Sequence, residues 1–287
     1  MWLNKPVLFA IIFTLLVACG FIMFNCAKKA ERVSADQTKW LTSTLIAHRG
    51  MHSESENIPE NTLLAFARAI ENGYIIELDV AMTKDKKLVV YHDKKLKRLF
   101  GLEAYISEMD YSELAELRFA NSTEKIPLFE EVLALVNGQV PLLIEIKNEG
   151  AVGELESQLY DQLKSYSGQY AIQSFNPYSV AWYRKNAPEV LRGQLSGSFE
   201  VSDYEVEYAG TTRLPWYQKI LLSNLLLNFE SRPNFIAYEI NNNDIDKLNS
   251  LRKLDVPVLG WTVKSVEEYE RVKSVFDNFI VEEFALE

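Results

Sequence analysis

The sequence predicts an α/β protein, a closed (β/α)8 TIM barrel, and three observations carry that expectation. Eight short apolar runs that read as strands alternate with helix-like stretches from Leu45 onward. Together they occupy about 245 residues, close to the ~250 usual for that fold. No glycine-rich phosphate loop of the nucleotide or dinucleotide kind is present, which disfavours the competing doubly wound open sheet.

Composition narrows the class further. The chain has 287 residues, 48% hydrophobic and 24% charged, as in ordinary globular proteins. A formal net charge of -10 argues against a nucleic-acid partner, because basic surfaces dominate such binding. Both cysteines, Cys19 and Cys26, lie near the N-terminus. The globular part therefore has no disulfide and no thiolate metal site.

Val7 to Phe24 is apolar apart from Thr14 and Gly20. As a helix it would span roughly 27 Å, close to a bilayer core. The expected organisation is a transmembrane anchor over residues 1–27, a linker over 28–43 and a barrel domain over 44–287. This makes the chain a single-pass protein of the cell membrane. Leu16-Val17-Ala18-Cys19 looks like a lipoprotein cleavage box, but the apolar run continues past it through Phe24, where such a protein should be polar. Lys28, Lys29, Arg32 and Lys39 follow the span and only Lys5 precedes it, which places the domain on the cytoplasmic side. A signal-anchor with the domain outside is the other orientation.

Leu45-Ile46-Ala47 reads as a buried strand that ends by presenting His48 and Arg49 before Gly50. Asn61 or Thr62 caps a helix carrying Leu63, Phe66, Ala67 and Ile70, stopped by Asn72-Gly73. Tyr74–Val80 is the second strand and carries Glu77 and Asp79. The polar Thr83–Lys87 run is too short for a parallel crossover, so Leu88–His92 should return antiparallel as a hairpin. That return lays His92 beside Asp79. A helix follows around Tyr111–Leu117 and another at Phe129–Val136. Leu142–Lys147 is the third barrel strand, with Glu145 and Lys147 two apart. Further strands fall at Tyr170–Phe175, Leu191–Leu195, Phe235–Ile240, Pro257–Val263 and Phe279–Glu283. Helices are expected at Pro177–Lys185, Asp244–Leu254 and Val266–Val275.

Glu77 and Asp79 share one strand face, roughly 6.6 Å apart along the chain. Acids on apolar strands are disfavoured unless paired or metal-bound. Any one of Glu77, Asp79 and Glu145 alone would be read as an ion-pair partner. Three at strand ends, beside two histidines, point to a divalent cation, and oxygen ligands favour Mg²⁺ or Ca²⁺ over zinc. His52 sits in a polar loop and reads as solvated; Asp93 reads as a residue that ends the hairpin strand and orients its neighbours. Gln173 and Ser174 sit at a strand end facing the pocket.

His48-Arg49-Gly50, Pro59-Glu60-Asn61-Thr62, Glu77-Leu78-Asp79-Val80 with Thr83-Lys84-Asp85, Val90-Tyr91-His92-Asp93, Glu145-Ile146-Lys147 and Trp261-Thr262-Val263 occur in that order. In this the chain resembles the glycerophosphodiester phosphodiesterase family, of the PI-PLC-like phosphodiesterase superfamily. The resemblance covers nearly everything from Leu45 on. It implies a (β/α)8 barrel and metal-dependent hydrolysis of glycerophosphodiesters to glycerol 3-phosphate and an alcohol. It further implies that His48 and His92 are the catalytic acid and base, and that Glu77, Asp79 and Glu145 hold one divalent cation. Arg49 and Lys147 would then face the phosphate, and Trp261 would line the substrate pocket. One departure is the end of the last strand, Val281-Glu282-Glu283-Phe284, where the family usually has Thr-Asp followed shortly by Pro. A second is an apolar insert before the sixth barrel strand, Leu214–Phe229. It is read first as a cap on the barrel, alternatively as an interfacial helix that dips Trp216, Ile220 and Leu227 into lipid. The competing functions are lysophospholipase D or phospholipase-C-like activity on a membrane lipid, and a non-catalytic membrane-tethered binding protein.

Overall fold

The structure is a computed structural model that describes residues 5–27, 30–148, 150–241 and 245–282. Eight parallel strands close into a barrel: β1 (Ile46–Ala47), β2 (Ile75–Met82), β4 (Leu142–Ile146), β5 (Tyr170–Ser174), β6 (Leu191–Ser196), β7 (Phe235–Glu239), β8 (Val258–Val263) and β9 (Asn278–Val281). β1 closes it by pairing with β2 on one side and β9 on the other. The ninth strand, β3 (Leu88–Val90), pairs antiparallel with β2, in the register Val80 with Val90. This is the expected hairpin. Lys86 takes positive φ in its turn.

Two apolar layers hold the barrel. Inside, Ile46, Ile75, Leu143, Ala171, Leu195, Phe235, Ala237, Leu259 and Ile280 pack together. Outside, helices such as Leu63–Glu71 and Phe129–Val136 cover β2 and β4 with Phe66, Ala69, Phe129, Val132 and Val136. Thr62 caps the first of these by accepting a hydrogen bond from the Ala65 amide, which is worth roughly 1 kcal/mol. Gly193 exists because of packing: a Cβ there would lie 2.1 Å from the Phe235 ring.

Several boundaries differ from expectation. The helix predicted at Tyr111–Leu117 covers Tyr111–Leu114. A helix at Glu154–Leu163, with no clear signal in the sequence, forms the crossover from β4 to β5; Leu155, Leu159 and Leu163 are its buried stripe. Within residues 28–43, expected as a linker, Ala35–Thr42 is helical and buries Trp40 and Leu41 in the lower mouth of the barrel. Asn278 fixes that plug by donating to the Leu41 and Thr44 carbonyls at 2.7 Å each.

The N-terminal helix runs over Lys5–Ala27. Among the described residues no helix is long and apolar enough to cross a membrane. Part of the span expected over residues 1–27 lies outside the described residues. Glu283 and Phe284 of the departing last strand, and Asp244, also lie outside them.

Candidate active site

The upper, C-terminal mouth of the barrel is where strand ends turn into loops, and it carries the polar residues. β1 ends at Ala47, and His48 donates its amide to the Val281 carbonyl of β9 at 2.9 Å. The chain then turns sharply: Arg49 has φ 54° and Gly50 φ 78°. A Cβ on Gly50 would sit 2.9 Å from the Ala65 backbone and the Phe66 ring. Only glycine fits, and the left-handed Arg49 backbone is held by its amide donating to Glu77 at 3.1 Å.

Glu77 and Asp79 point into the barrel from β2, and Asp79 is in register with Glu145 of β4. All three carboxylates are buried and offer oxygens within 4.8 Å of one another. Asp79 Oδ2 accepts from Asn61 Nδ2 at 2.8 Å. Its Oδ1 is buried and makes no hydrogen bond among the described residues. Lys147 Nζ lies 3.5 Å from Asp79 and 2.8 Å from Glu145. A carboxylate oxygen that makes no hydrogen bond among the described residues, beside two more carboxylates, suits a hard divalent cation, which takes oxygen ligands. This donor set can hold such an ion.

The electrostatics agree with that use. Burial and the neighbouring Asp79 and Glu145 push the Glu77 carboxyl well up. Burial and Asp79 likewise push Glu145 up to about 7, against the pull of Lys147. Asp79 goes the other way: burial is outweighed by Lys147, His92 and Arg49, which hold it low. Lys147 and Arg49 offset only part of the charge of three crowded carboxylates, and an ion would offset the rest.

The hairpin brings the second imidazole to the same mouth. Tyr91 donates its amide to the Asp79 carbonyl at 2.9 Å, so His92 stands just above the carboxylates. His92 Nδ1 lies 2.7 Å from Asp93 Oδ1, which leaves Nε2 to face the cleft. An ion-pair chain continues from there. Arg98 donates Nε to Asp93 at 2.6 Å and both terminal nitrogens to Glu60, at 3.0 and 2.6 Å. Glu60 also accepts from Arg49 at 2.8 Å, and Arg49 Nε lies 3.5 Å from Asp79. Burial would raise Glu60, but Arg49 and Arg98 hold it well below the carboxylate range. Burial, with Arg49, lowers both imidazoles, His92 well below its usual value; Lys147 adds to the effect at His92.

His48, Arg49, Glu77, His92, Glu145, Lys147 and Trp261 line one cleft, with Asp79 buried beneath it. The eight predicted site residues therefore converge. Trp261 is half-buried, packs edge-on against Phe175 at 5.5 Å, and its indole N–H makes no hydrogen bond among the described residues. Gln173 is buried with Nε2 3.5 Å from Glu77.

Some residues at the site carried too weak a signal in sequence. Asp93, expected to orient its neighbours, does touch His92, whereas Arg98 has no local signal. Its link to Glu60 spans 38 positions, and no local pattern reports it. His52 corrects an expectation. It is buried rather than solvated, because the Ser53–Ile58 bridge folds its loop back over the barrel mouth, where His52 Nε2 lies 3.7 Å from Glu282.

Comparison with known proteins agrees with this geometry. The model of the glycerophosphoryl diester phosphodiesterase family matches residues 48–276. A glycerophosphodiester phosphodiesterase of Caldanaerobacter subterraneus is 30% identical over 261 residues, covering 85% of this chain and 95% of that protein. The human lysophospholipase D is 36% identical over 117 residues, 36% of each chain. Among solved structures, the Thermotoga maritima glycerophosphodiester phosphodiesterase superposes with a TM-score of 0.60 at 27% identity, over 83% of this chain and 94% of that one. An Oleispira antarctica phosphodiesterase, solved with the product sn-glycerol-3-phosphate, shares the fold with a TM-score of 0.66 at 20% identity, over 84% of this chain and 92% of that one. A family-wide match to the very stretch that builds the barrel and its mouth makes this chain a member of the glycerophosphoryl diester phosphodiesterase family, and so a phosphoric diester hydrolase.

Proposed function

We propose that the chain hydrolyses glycerophosphodiesters to glycerol 3-phosphate and an alcohol, with His48 and His92 as the acid–base pair. The observation that carries this reading is the meeting of both imidazoles, three carboxylates, Arg49 and Lys147 at one barrel mouth. Glu77, Asp79 and Glu145 would hold one Mg²⁺ or Ca²⁺, which supplies charge to offset the phosphate anion. Arg49 and Lys147 face the same anion and stabilise the charge that builds as the nucleophile attacks. One imidazole takes the proton from the attacking hydroxyl, either water or the substrate's own glycerol hydroxyl. The other donates a proton to the leaving alcohol oxygen. Asp93 keeps His92 Nε2 toward the substrate, and Glu282, 3.5 Å from His48 Nδ1, does the same for His48. Trp261 and Phe175 form an apolar wall for the glycerol carbons, and the indole N–H, without a hydrogen bond among the described residues, suits a glycerol hydroxyl.

The second reading, lysophospholipase D, is favoured by the insert. Its helix Trp216–Ser223 has no buried residue. Trp216 is 74% exposed, and Tyr217 and Ile220 are also exposed. Tyr217, Leu221, Leu222 and Leu227 extend the cleft wall. The second half of the insert caps the barrel, through buried Leu225 and Asn228 and through the Leu222 and Ser223 carbonyls, which accept from Ser196 and Tyr238. This arrangement suits an interfacial helix feeding a lipid-derived substrate, as the name of the human relative suggests. The N-terminal helix fits the same picture: Phe9, Phe13, Leu15 and Leu16 are exposed on it, and an exposed apolar patch of this kind favours contact with lipid. We therefore read the protein as held at the cell membrane by residues 1–27, with the cytoplasmic side favoured by the lysines that follow.

Product analysis separates the readings. Metal-stripped protein is given glycerophosphocholine or lysophosphatidylcholine, with and without Mg²⁺ or Ca²⁺. Metal-dependent release of glycerol 3-phosphate supports the first; lysophosphatidate supports the second. Turnover of neither substrate under any metal condition contradicts both.

A further inference from the structure

A second group of ligand atoms lies beside the carboxylate triad. His48, His52 and Glu282 offer ligand atoms that all fall within 4.8 Å of one another. Glu282 Oε2 is 3.5 Å from His48 Nδ1, and Oε1 is 3.7 Å from His52 Nε2. Tetrahedral zinc bonds of about 2.0–2.1 Å put neighbouring ligand atoms about 3.3–3.4 Å apart, so only small side-chain movements are needed.

The backbone already fixes two of the three. Ala47 and Val281 are register partners on adjacent strands, so His48 and Glu282 leave the sheet side by side. The Glu282 amide donates to the Val263 carbonyl at 2.9 Å. The loop delivers the third, with the Met51 amide bonded to Ala65 at 3.0 Å. The side chains of His48, His52 and Glu282 are 16%, 7% and 19% exposed, which shields a bound ion yet leaves a path from the cleft. Two imidazole nitrogens and one carboxylate form a borderline-soft set, unlike the all-oxygen triad.

We propose that His48, His52 and Glu282 form a zinc site, separate from the carboxylate site, whose occupancy switches the enzyme off. The switching rests on the role given to His48 above. Zinc takes the lone pair of His48 Nδ1. The proton that Nδ1 carried ends on Nε2, so the Nε2 lone pair that faces the substrate becomes an N–H and is lost to base catalysis. Lys264, whose Nζ lies 2.9 Å from Glu282, competes with zinc. It is 62% exposed and free to swing away.

The test titrates metal-stripped full-length protein with Zn²⁺ in excess Mg²⁺, by calorimetry, and with Co²⁺ by its visible absorption. Activity is followed in parallel. Wild type should bind one Zn²⁺ that added Mg²⁺ does not displace, and lose turnover as it binds. His52→Gln should keep basal turnover, with zinc affinity and zinc sensitivity both at least tenfold weaker. Lys264→Met should bind zinc more tightly than wild type, a gain that misfolding cannot mimic. Equal zinc affinity in wild type and His52→Gln, or displacement of the zinc by Mg²⁺, overturns the site. Zinc bound without loss of turnover overturns the switch and counts against His48 as a catalytic group. An active enzyme that binds no zinc overturns the site alone.

Discussion

At the scale of single residues, buried charge is the organising fact. Asp93, Arg98 and Glu60 touch no reacting atom in our reading, yet they tie His92 to Arg49 by hydrogen bonds of 2.6 to 3.0 Å. Asp93→Asn removes the carboxylate that fixes the His92 tautomer, and kcat should fall about 10- to 100-fold with KM little changed. Arg98→Met leaves buried Asp93 to His92 alone and partly buried Glu60 to Arg49 alone, among the described residues. It should lower stability by about 3 kcal/mol, read as a shift in urea midpoint. Glu145 gives a pH dependence. Its carboxyl, raised from 4.5 to about 7, holds an extra proton in the ion-free fold. That group therefore contributes less stability as pH rises from about 4.5 through 7, and a bound cation, which displaces the proton, reverses the loss. Calorimetry should show Mg²⁺ affinity rising as pH rises through about 7, because both Glu145 and Glu77, each pushed up in the fold, give up a proton to the ion. An affinity independent of pH would contradict the carboxylate assignment. The sequence showed which acids sit on apolar strands, and so revealed Glu77, Asp79 and Glu145. It did not show Arg98 or buried His52, because their partners come from distant loops.

At the scale of elements, short connections decide where chemistry goes. The Thr83–Lys87 turn is too brief for a crossover, and that alone placed His92 above Asp79 from sequence. The Arg49-Gly50 turn does the same for His48. Gly50→Ala would force a Cβ into the Ala65 backbone at positive φ. It should cost about 1–3 kcal/mol and reduce activity more than stability, because His48 and Arg49 move with the turn. Thermal melts beside turnover would separate the two effects. The Glu154–Leu163 helix was missed for a physical reason. Its leucines fall at i, i+4 and i+8 among charged residues, so the apolar stripe is narrow and easily read as a polar loop.

At the scale of the whole molecule, the barrel separates stability from function. Trp40 and Leu41 plug the lower mouth, where Glu31 also binds buried Arg192 at 2.6 Å. The upper mouth holds the charged cleft. Deleting residues 1–27 should leave turnover of soluble glycerophosphocholine intact and strongly reduce flotation with vesicles, to what the exposed Trp216 helix supplies. Deleting through Ser43 removes the plug and should lower stability by several kcal/mol, about that of two large core truncations. The eightfold strand count was legible because parallel barrel strands are short, apolar and evenly interrupted. The insert's posture was not, since apolar sequence alone fits either a cap or an interface. What matters most is whether the two histidines at the upper mouth work as a pair. Glycerol 3-phosphate release by His48→Ala and His92→Ala, each with wild-type melting and Mg²⁺ binding, tests this directly. The account predicts a loss of at least about a hundredfold in both. Wild-type turnover in either variant would contradict it.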